Sequence, residues 1–584
     1  MRLVECVPNF SEGRNPAVTD AIAAVITDTE GAWLLDVDPG KATNRTVVTF
    51  VADYDRAVEA AFRAVAKAAE LIDMRKHQGE HARMGATDVC PFVPVRGVSM
   101  DECVALARAL GERVGKELEI PVYLYEYAAT REERRNLATV RAGEYEALAD
   151  KLKDPRWKPD FGPARFNAKS GATVIGARKF LIAYNVNLNT RDARKANDVA
   201  LEIREAGRNQ RGPDGKFMRD AGGEPIKSPG RLQACKAVGW YIDEYARAQI
   251  SINLTDFDVT PPHIAFDTVC EEAEKRGLRV TGSELVGLIP LEAMLQAGRH
   301  YLERAGSSAG GPEAHVVEAA VQSLGLRELS AFDPAQKIIE YRVAEATPLA
   351  DMRVRDFADL TSTDAPAPGG GSVAALMGAM AGALAAMVAN LTVGKKAYQE
   401  AEEEMRAVAV DAQRMKDACL RAIDTDTRAF DAVMAAMRMP RGGDEEAAAR
   451  DAAVQEATQR AIDVPLGVLR TCRDALTPIA AVAERGNRNS LSDAGVAALC
   501  ARAGAHGAYL NVLINLPGVS DASYAASTRA EASRVMEETA ARASEIIERV
   551  TSALSRAATG ESQLTGGAGS APASSRKRDS NQEM

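Results

Sequence analysis

The sequence predicts an α+β architecture followed by an all-α one: two tandem ferredoxin-like βαββαβ subdomains, then a bundle of long helices. Three observations carry this. Up to about residue 343, short apolar runs alternate with amphipathic stretches. The order strand–helix–strand–strand–helix–strand occurs twice, the arrangement in which helices cover one face of a sheet. Beyond Pro348 the β-alternation disappears, and alanine-rich segments carry apolar residues at three-to-four spacing.

In the first pass, Leu3–Val7 reads as a strand, Ala17–Ile26 as a helix, and Trp33–Val37 and Arg45–Val51 as strands. A helix from Asp55, an apolar stretch around Val89–Val95, a helix from Asp101 and a strand Val122–Tyr125 complete it. The second pass starts at Phe180. It continues with a helix Ala193–Ala206, strands Ala237–Ile242 and Gln249–Leu254, a helix from Pro262 and a strand around Arg279–Thr281. Between them, Gln210–Ser228 is rich in Gly, Lys and Asp and reads as a mobile loop. Long helices are expected over Met405–Met437, Glu445–Thr477 and Ala525–Ala557. The resulting division is 1–181 and 182–343 for the two subdomains, 344–351 for a linker, 352–558 for the helical domain and 559–584 for a disordered tail.

With 46% hydrophobic and 26% charged residues the chain has an ordinary globular balance. A formal net charge of -10 and the lack of a recurrent basic stripe argue against nucleic acid as a partner. Eight cysteines without a C-x-x-C pair, and an N-terminus that reads straight into a strand, predict reduced thiols and a cytoplasmic location. The uncharged segment Ala365–Gly394 has the length of a membrane span. Its Ala and Gly content instead predicts a helix packed closely among other helices, with no membrane partner.

The richest stretch runs from His77 through His81, Arg83, Gly85 and Asp88 to Phe92, and holds two of the six histidines. Backbone breakers beside costly-to-bury groups suit an active-site loop, and imidazole both accepts and donates protons near neutrality. His77-x-x-Glu80-His81 also fits the inverted zinc-peptidase pattern. Zinc chelation there needs one continuous helix, and Gly79 between the histidines argues against it. A plain surface loop is the remaining alternative.

Five motifs resemble the bifunctional formimidoyltransferase–cyclodeaminase family. They are Val4–Gly13, Leu35–Asp38 with Thr43–Thr46, His77–Phe92, Gly176–Leu181 and Ala367–Ala375. Ala82 departs from the family, which usually has proline there. The resemblance covers nearly the whole chain except the loop before Ser228 and the tail. It implies transfer of a formimidoyl group from N-formimidoyl-L-glutamate to N5 of tetrahydrofolate. Closure to 5,10-methenyltetrahydrofolate with loss of ammonia follows. It also implies a homo-oligomer built from dimers.

The resemblance places the transferase acid–base group on His81, with His77 positioning it or merely structural. Asp38 and Arg45 bound the same sheet end and read as orienting groups. Arg83 and Arg178 are candidate clamps for substrate carboxylates, since a guanidinium fork matches a carboxylate. The same resemblance lays folate against Gly162, Pro163, Ala164, Arg165, Phe166, Asn167, Ala168, Lys169, Ser170 and Gly171. It adds the turn Gly230, Arg231 and Leu232; each segment is otherwise a simple connecting turn. Tetrahydrofolate, possibly polyglutamylated, is thus a co-substrate, and no metal is called for.

In the helical part, the neighbours of Asp426 three and four residues away are Ala422, Ile423, Ala429 and Phe430. A carboxyl on that apolar face has a raised pKa and suits the cyclodeaminase acid–base role, where the family also places its aspartate. Asp424 has Arg421 and Arg428 beside it and is expected to be an exposed ion-paired acid. Pro368-Gly-Gly-Gly-Ser372 opens a helix and would favour an anion there, or be a tight packing turn. Two competing readings are a zinc hydrolase using His77 and His81 and a non-catalytic folate-binding scaffold.

Overall fold

The computed structural model describes residues 2–559 apart from Ala42, Glu80, Ala221, Glu345 and Ala346. The predicted tail beyond Thr559 and residues 345–346 of the predicted linker therefore lie outside the described residues. The chain divides into two units: Met1–Tyr301 with Val316–Glu345, and Leu302–His315 with Ala346–Met584. The first unit contains the sheets; the second is built of long helices, so the order α+β then all-α holds.

The first sheet contains β1 (Leu3–Cys6), β2 (Asn9–Phe10), β3 (Ala32–Gly40), β4 (Arg45–Asp53), β5 (Thr87–Arg96), β6 (Val122–Glu126) and β7 (Thr173–Ala177). β1 and β2 form one interrupted strand between β4 and β5, antiparallel to both. β3 flanks β4, while β7 and then β6 extend the other edge in parallel. The strand β7 was not expected: it is a five-residue run arriving after a long excursion, and its partners are distant in sequence.

Helices α1 (Pro16–Thr27), α2 (Tyr54–Leu71) and α3 (Met100–Glu117) cover one face. Asn15 caps α1 by accepting from the Ala17 amide, and Ser99 with Glu102 closes a capping box on α3. Alternate strand residues Val4, Cys6, Phe50 and Phe92 pack beneath these helices. The opposite residues Leu3, Val51 and Val93 share a core with the second subdomain. Farther along that face, Val89, Tyr123, Tyr125 and Val174 lie in a core with Val140 and Leu148 of the short helices α4 (Leu137–Arg141) and α5 (Leu148–Lys151).

The second sheet has the order β11 (Cys235–Ile242), β12 (Arg247–Leu254), β8 (Ile182–Leu188), β13 (Val280–Val286), all antiparallel. It shares its core with α6 (Ala193–Ile203) and α7 (Pro262–Glu274). The segment expected as a loop carries a two-residue ladder of β9 (Arg208–Asn209) with β10 (Lys227–Ser228), and two further bridges. Helices α8 (Leu291–Arg304), α9 (Glu313–Ser323), α10 (Pro334–Lys337) and α11 (Ile339–Arg342) follow.

The second unit contains α12 (Val354–Thr361), α13 (Gly370–Asn390), α14 (Glu402–Met437), α15 (Asp444–Arg485), α16 (Leu491–Asn515) and α17 (Ala522–Thr559). α13 packs against α14, α15 and α16. Its small residues make this possible: Gly378 faces the Cys419 and Cys472 sulfurs, and Gly382 faces the backbone of Ala412. α13 is also long and apolar enough to cross a membrane by length and composition; Ala375, Ala381, Ala385 and Ala389 are fully buried. α15 overruns its predicted end at Thr477, continuing through Pro478 to Arg485. Proline removes one helix donor, but burial of Leu476, Ile479 and Val482 holds the helix together.

Candidate functional sites

α2 ends at Leu71, and the described residues between His77 and His81 are not helical, so the two histidines do not sit on one continuous helix face as zinc chelation there would need. His77 Nε2 lies 2.8 Å from the carbonyl of Asn44. A carbonyl only accepts, so Nε2 carries the hydrogen; Nδ1 then accepts from Arg83 Nε at 3.2 Å. Both ring nitrogens are engaged within the loop and its support. Arg83, expected as a substrate clamp, is buried, and its fork is filled by Glu146 at 2.7 and 2.8 Å and Glu144 at 3.0 Å. Asn44 organises the loop from below. It adopts φ 48°, accepts from the Gly13 amide and donates to the Gln78 carbonyl, each at 3.0 Å. Left-handed backbone is tolerated by Asn better than by most residues.

His81 is partly exposed. Its Nδ1 donates to the carbonyl of Ala82 at 2.6 Å, leaving the Nε2 lone pair free to accept a proton. Burial, with the nearby Arg45 charge, holds its pKa below the ordinary 6.5. Arg45 stands on the sheet face away from α1–α3, half-buried, with Asp88, Arg141 and Asp38 as charged neighbours. Asp38 is exposed on β3, opposite Val47. Asp88 pairs with Arg141 and accepts the Met84 amide at 3.0 Å. Arg45 Nε, Arg141 Nε, Asn9 Oδ1 and Thr87 Oγ1 are buried without hydrogen-bond partners among the described residues. Arg178 donates to the Lys179 carbonyl at 3.0 Å and acts electrostatically on Glu5 and Tyr125. A polar strip thus runs from His81 through Arg45, Arg141 and Arg178 to Glu5. Arg141, Glu5 and Tyr125 were not foreseen as site residues. The available signal was Glu5 itself, a lone acid inside the apolar strand Leu3–Val7.

The 162–171 segment adjoins the His81 loop. Gly85 bridges Gly171, the Ala86 amide donates to the Ser170 carbonyl at 2.9 Å, and the Met74 amide to that of Lys169 at 2.9 Å. Gly162 and Gly171 have φ of 79° and 68°, a region that favours glycine. Phe166 is exposed, its ring 5.4 Å from that of Tyr145. Arg165 pairs with Glu119, and Asn167 accepts the Ser170 amide at 3.0 Å. Gly230–Leu232 is a connecting turn: Arg231 pairs with Glu271 and Glu272, and Leu232 is buried. Its amides donate to the end of α6, not to the His81 loop.

In the second unit, Asp426 meets the start of α13. Ser372 donates its hydroxyl to Oδ2 at 3.2 Å, and a Cβ on Gly371 would collide with both carboxyl oxygens. The anion at this helix start is therefore the chain's own carboxyl. Burial raises its pKa, opposed by hydrogen bonds from the Ser372 hydroxyl and amide. Asp424 corrects the expectation of an exposed ion pair. It is 3% exposed and accepts the amides of Leu349 and Ala350 at 2.9 and 3.0 Å. Neighbours on its own helix did not reveal backbone donors arriving from another segment.

The first unit thus carries an imidazole on a loop beside a mixed sheet, and the second a carboxyl against the start of a buried helix. Three family models match it: "Formiminotransferase domain, N-terminal subdomain" over residues 3–178, "Formiminotransferase domain" over 183–344, and "Formiminotransferase-cyclodeaminase" over 353–534. The formimidoyltransferase-cyclodeaminase of Rattus norvegicus is 45% identical over 92% of this chain and 96% of its own length. A glutamate formimidoyltransferase of Streptococcus pyogenes is 41% identical over 52% of this chain and 94% of its own. A methenyltetrahydrofolate cyclohydrolase of Methylorubrum extorquens is 43% identical over 34% of this chain and 96% of its own. The chain belongs to the formimidoyltransferase-cyclodeaminase family.

Proposed function

We propose that this chain transfers the formimidoyl group of N-formimidoyl-L-glutamate to N5 of tetrahydrofolate, then cyclises the product to 5,10-methenyltetrahydrofolate with release of ammonia. The tautomer of His81 carries the first half. With Nδ1–H fixed on the Ala82 carbonyl, Nε2 accepts the N5 proton as N5 adds to the amidine carbon. The same proton then goes to the departing glutamate nitrogen. Arg45, Arg141 and Arg178 give the groove positive charge for substrates rich in carboxylates. Asp38 orients the Arg45 end, and His77 and Arg83 brace the loop.

For the second half, Asp426 takes the N10 proton as N10 attacks the formimidoyl carbon, and returns it to the nitrogen that leaves as ammonia. A carboxyl lifted by burial suits both steps. The proton transfers as written engage no metal.

We read both sheets as ferredoxin-like layers; the order β11-β12-β8-β13 and the core order β3-β4-β1-β5 support this. Residues 1–181 and 182–343 are assigned to transfer, 344–351 to the linker and 352–558 to cyclisation, close to the family-model limits. Folate is assigned to Gly162–Gly171, supported by its bridge to the His81 loop, and to Gly230–Leu232 on resemblance alone. Exposed Val496, Leu499, Leu510 and Ile514 on α16 support self-association through the helical unit. Cys6 and Cys90, with sulfurs 3.5 Å apart as thiols, support a reducing cytoplasm. Incubating His81→Ala with supplied 5-formimidoyltetrahydrofolate tests the two-site reading: ring closure survives, whereas transfer from formimidoylglutamate stops.

A further inference from the structure

Glu5 is the one acid on β1, and nothing in the transfer step described above uses it. It lies opposite Val51 on β4 and Val93 on β5, so all three side chains share the sheet face that α1–α3 leave uncovered. The residue is 4% exposed, and its carboxyl has no hydrogen-bond partner among the described residues. Tyr125, on the same face, is also buried with an unpartnered hydroxyl among those residues. Arg178 supplies the nearby charge, but burial outweighs it and pushes the Glu5 carboxyl up to about 7. A buried carboxyl without a partner costs stability, so its retention among Leu3, Val51 and Val93 points to a ligand that completes it.

Resting on the folate reading, we infer that Glu5 receives the pyrimidine edge of the tetrahydrofolate pteridine, accepting from its 2-amino group and N3–H. The edge offers two parallel donors, which match the two oxygens of one carboxylate. Position along the strand separates this from the cationic group in the reaction, the amidine of the donor. Glu5 is four residues from Asn9, about 13 Å at about 3.3 Å per residue. Asn9 is opposite Val47, one turn of the pleat from Arg45, whose charge acts on His81. The reacting amidine carbon belongs beside His81, at the Arg45 end. A pteridine with N5 on the His81 side turns its pyrimidine edge towards Glu5, whereas the amidine carbon stays at the Arg45 end.

The test uses the full chain and two probes, tetrahydrofolate and its analogue with methyl in place of the 2-amino group. Binding of each is measured by calorimetry, and KM for both substrates by steady-state transfer. Glu5→Gln should raise Kd and KM for tetrahydrofolate about 10–100-fold, the worth of a charge-assisted pair. It should leave KM for formimidoylglutamate and kcat nearly unchanged, which a general loosening of the strand would not do. The wild type should bind the analogue more weakly by a similar factor, and Glu5→Gln should no longer distinguish the two probes. Unchanged tetrahydrofolate affinity in Glu5→Gln, or no discrimination by the wild type, would overturn the inference while leaving the transfer reading intact. Should Glu5→Gln fail to fold, the wild-type comparison alone decides. Absence of transfer by a wild type that still discriminates between the probes would instead sink the functional reading.

Discussion

Ser372, in the first turn of α13, donates its hydroxyl hydrogen to the carboxyl of Asp426 across 3.2 Å. Gly371 beside it has no side chain, and the carboxyl occupies the space that one would take. This pairs an acid raised by burial with donors that favour its charged form. Opposed influences of that kind let one group both accept and return a proton.

Asp426→Asn should stop ammonia release, by roughly 10²–10⁴-fold, while transfer proceeds. The product of transfer, 5-formimidoyltetrahydrofolate, then accumulates and is read by chromatography. Wild-type ammonia release from this variant would remove Asp426 from the mechanism.

Gly371→Ala tests the same contact from the other side. Its methyl would push the Asp426 carboxyl from the helix start, so cyclisation should fall while transfer and the melting temperature of the first unit hold. An unimpaired cyclisation rate would mean that the contact is incidental.

Asp424→Asn should act on stability. Asn presents one oxygen and one NH2 to two buried amides, leaving a donor without an acceptor, at a cost of about 1–3 kcal/mol. Urea denaturation of the helical unit measures it. No change in the midpoint would show that the Leu349–Ala350 contact contributes nothing.

For His81 the sign follows from its lowered pKa: burial first, then Arg45, disfavour the imidazolium. The neutral base therefore persists below the ordinary 6.5, and the acid limb of kcat/KM for transfer should lie below that pH. Arg45→Gln should move the limb upward, since one opposing charge is gone. A limb at or above 6.5 in the wild type, unmoved in the variant, would contradict this electrostatic account.

Much of the fold was legible because strands and helices announce themselves through period. The strands around Leu3, Arg45 and Val122 and the helices α14 and α17 lie near their expected limits. β7 was missed because Thr173–Ala177 is short and ends in Gly and Ala, and its partners β5 and β6 are distant in sequence. The His81 loop was visible by composition. The roles of its neighbours were not, since Arg83 is occupied by Glu144 and Glu146, far along the chain. The same limit inverted Asp424: helix-face neighbours report local environment, whereas its partners come from Leu349 and Ala350.

The most direct test of two activities in one chain is the time course of 5,10-methenyltetrahydrofolate absorbance alongside released ammonia. The reaction starts from formimidoylglutamate and tetrahydrofolate with the intact wild-type protein. Both should appear together, one ammonia for each methenyl product, after a lag while 5-formimidoyltetrahydrofolate builds up. Glutamate release with neither absorbance nor ammonia, or no consumption of formimidoylglutamate, would contradict it.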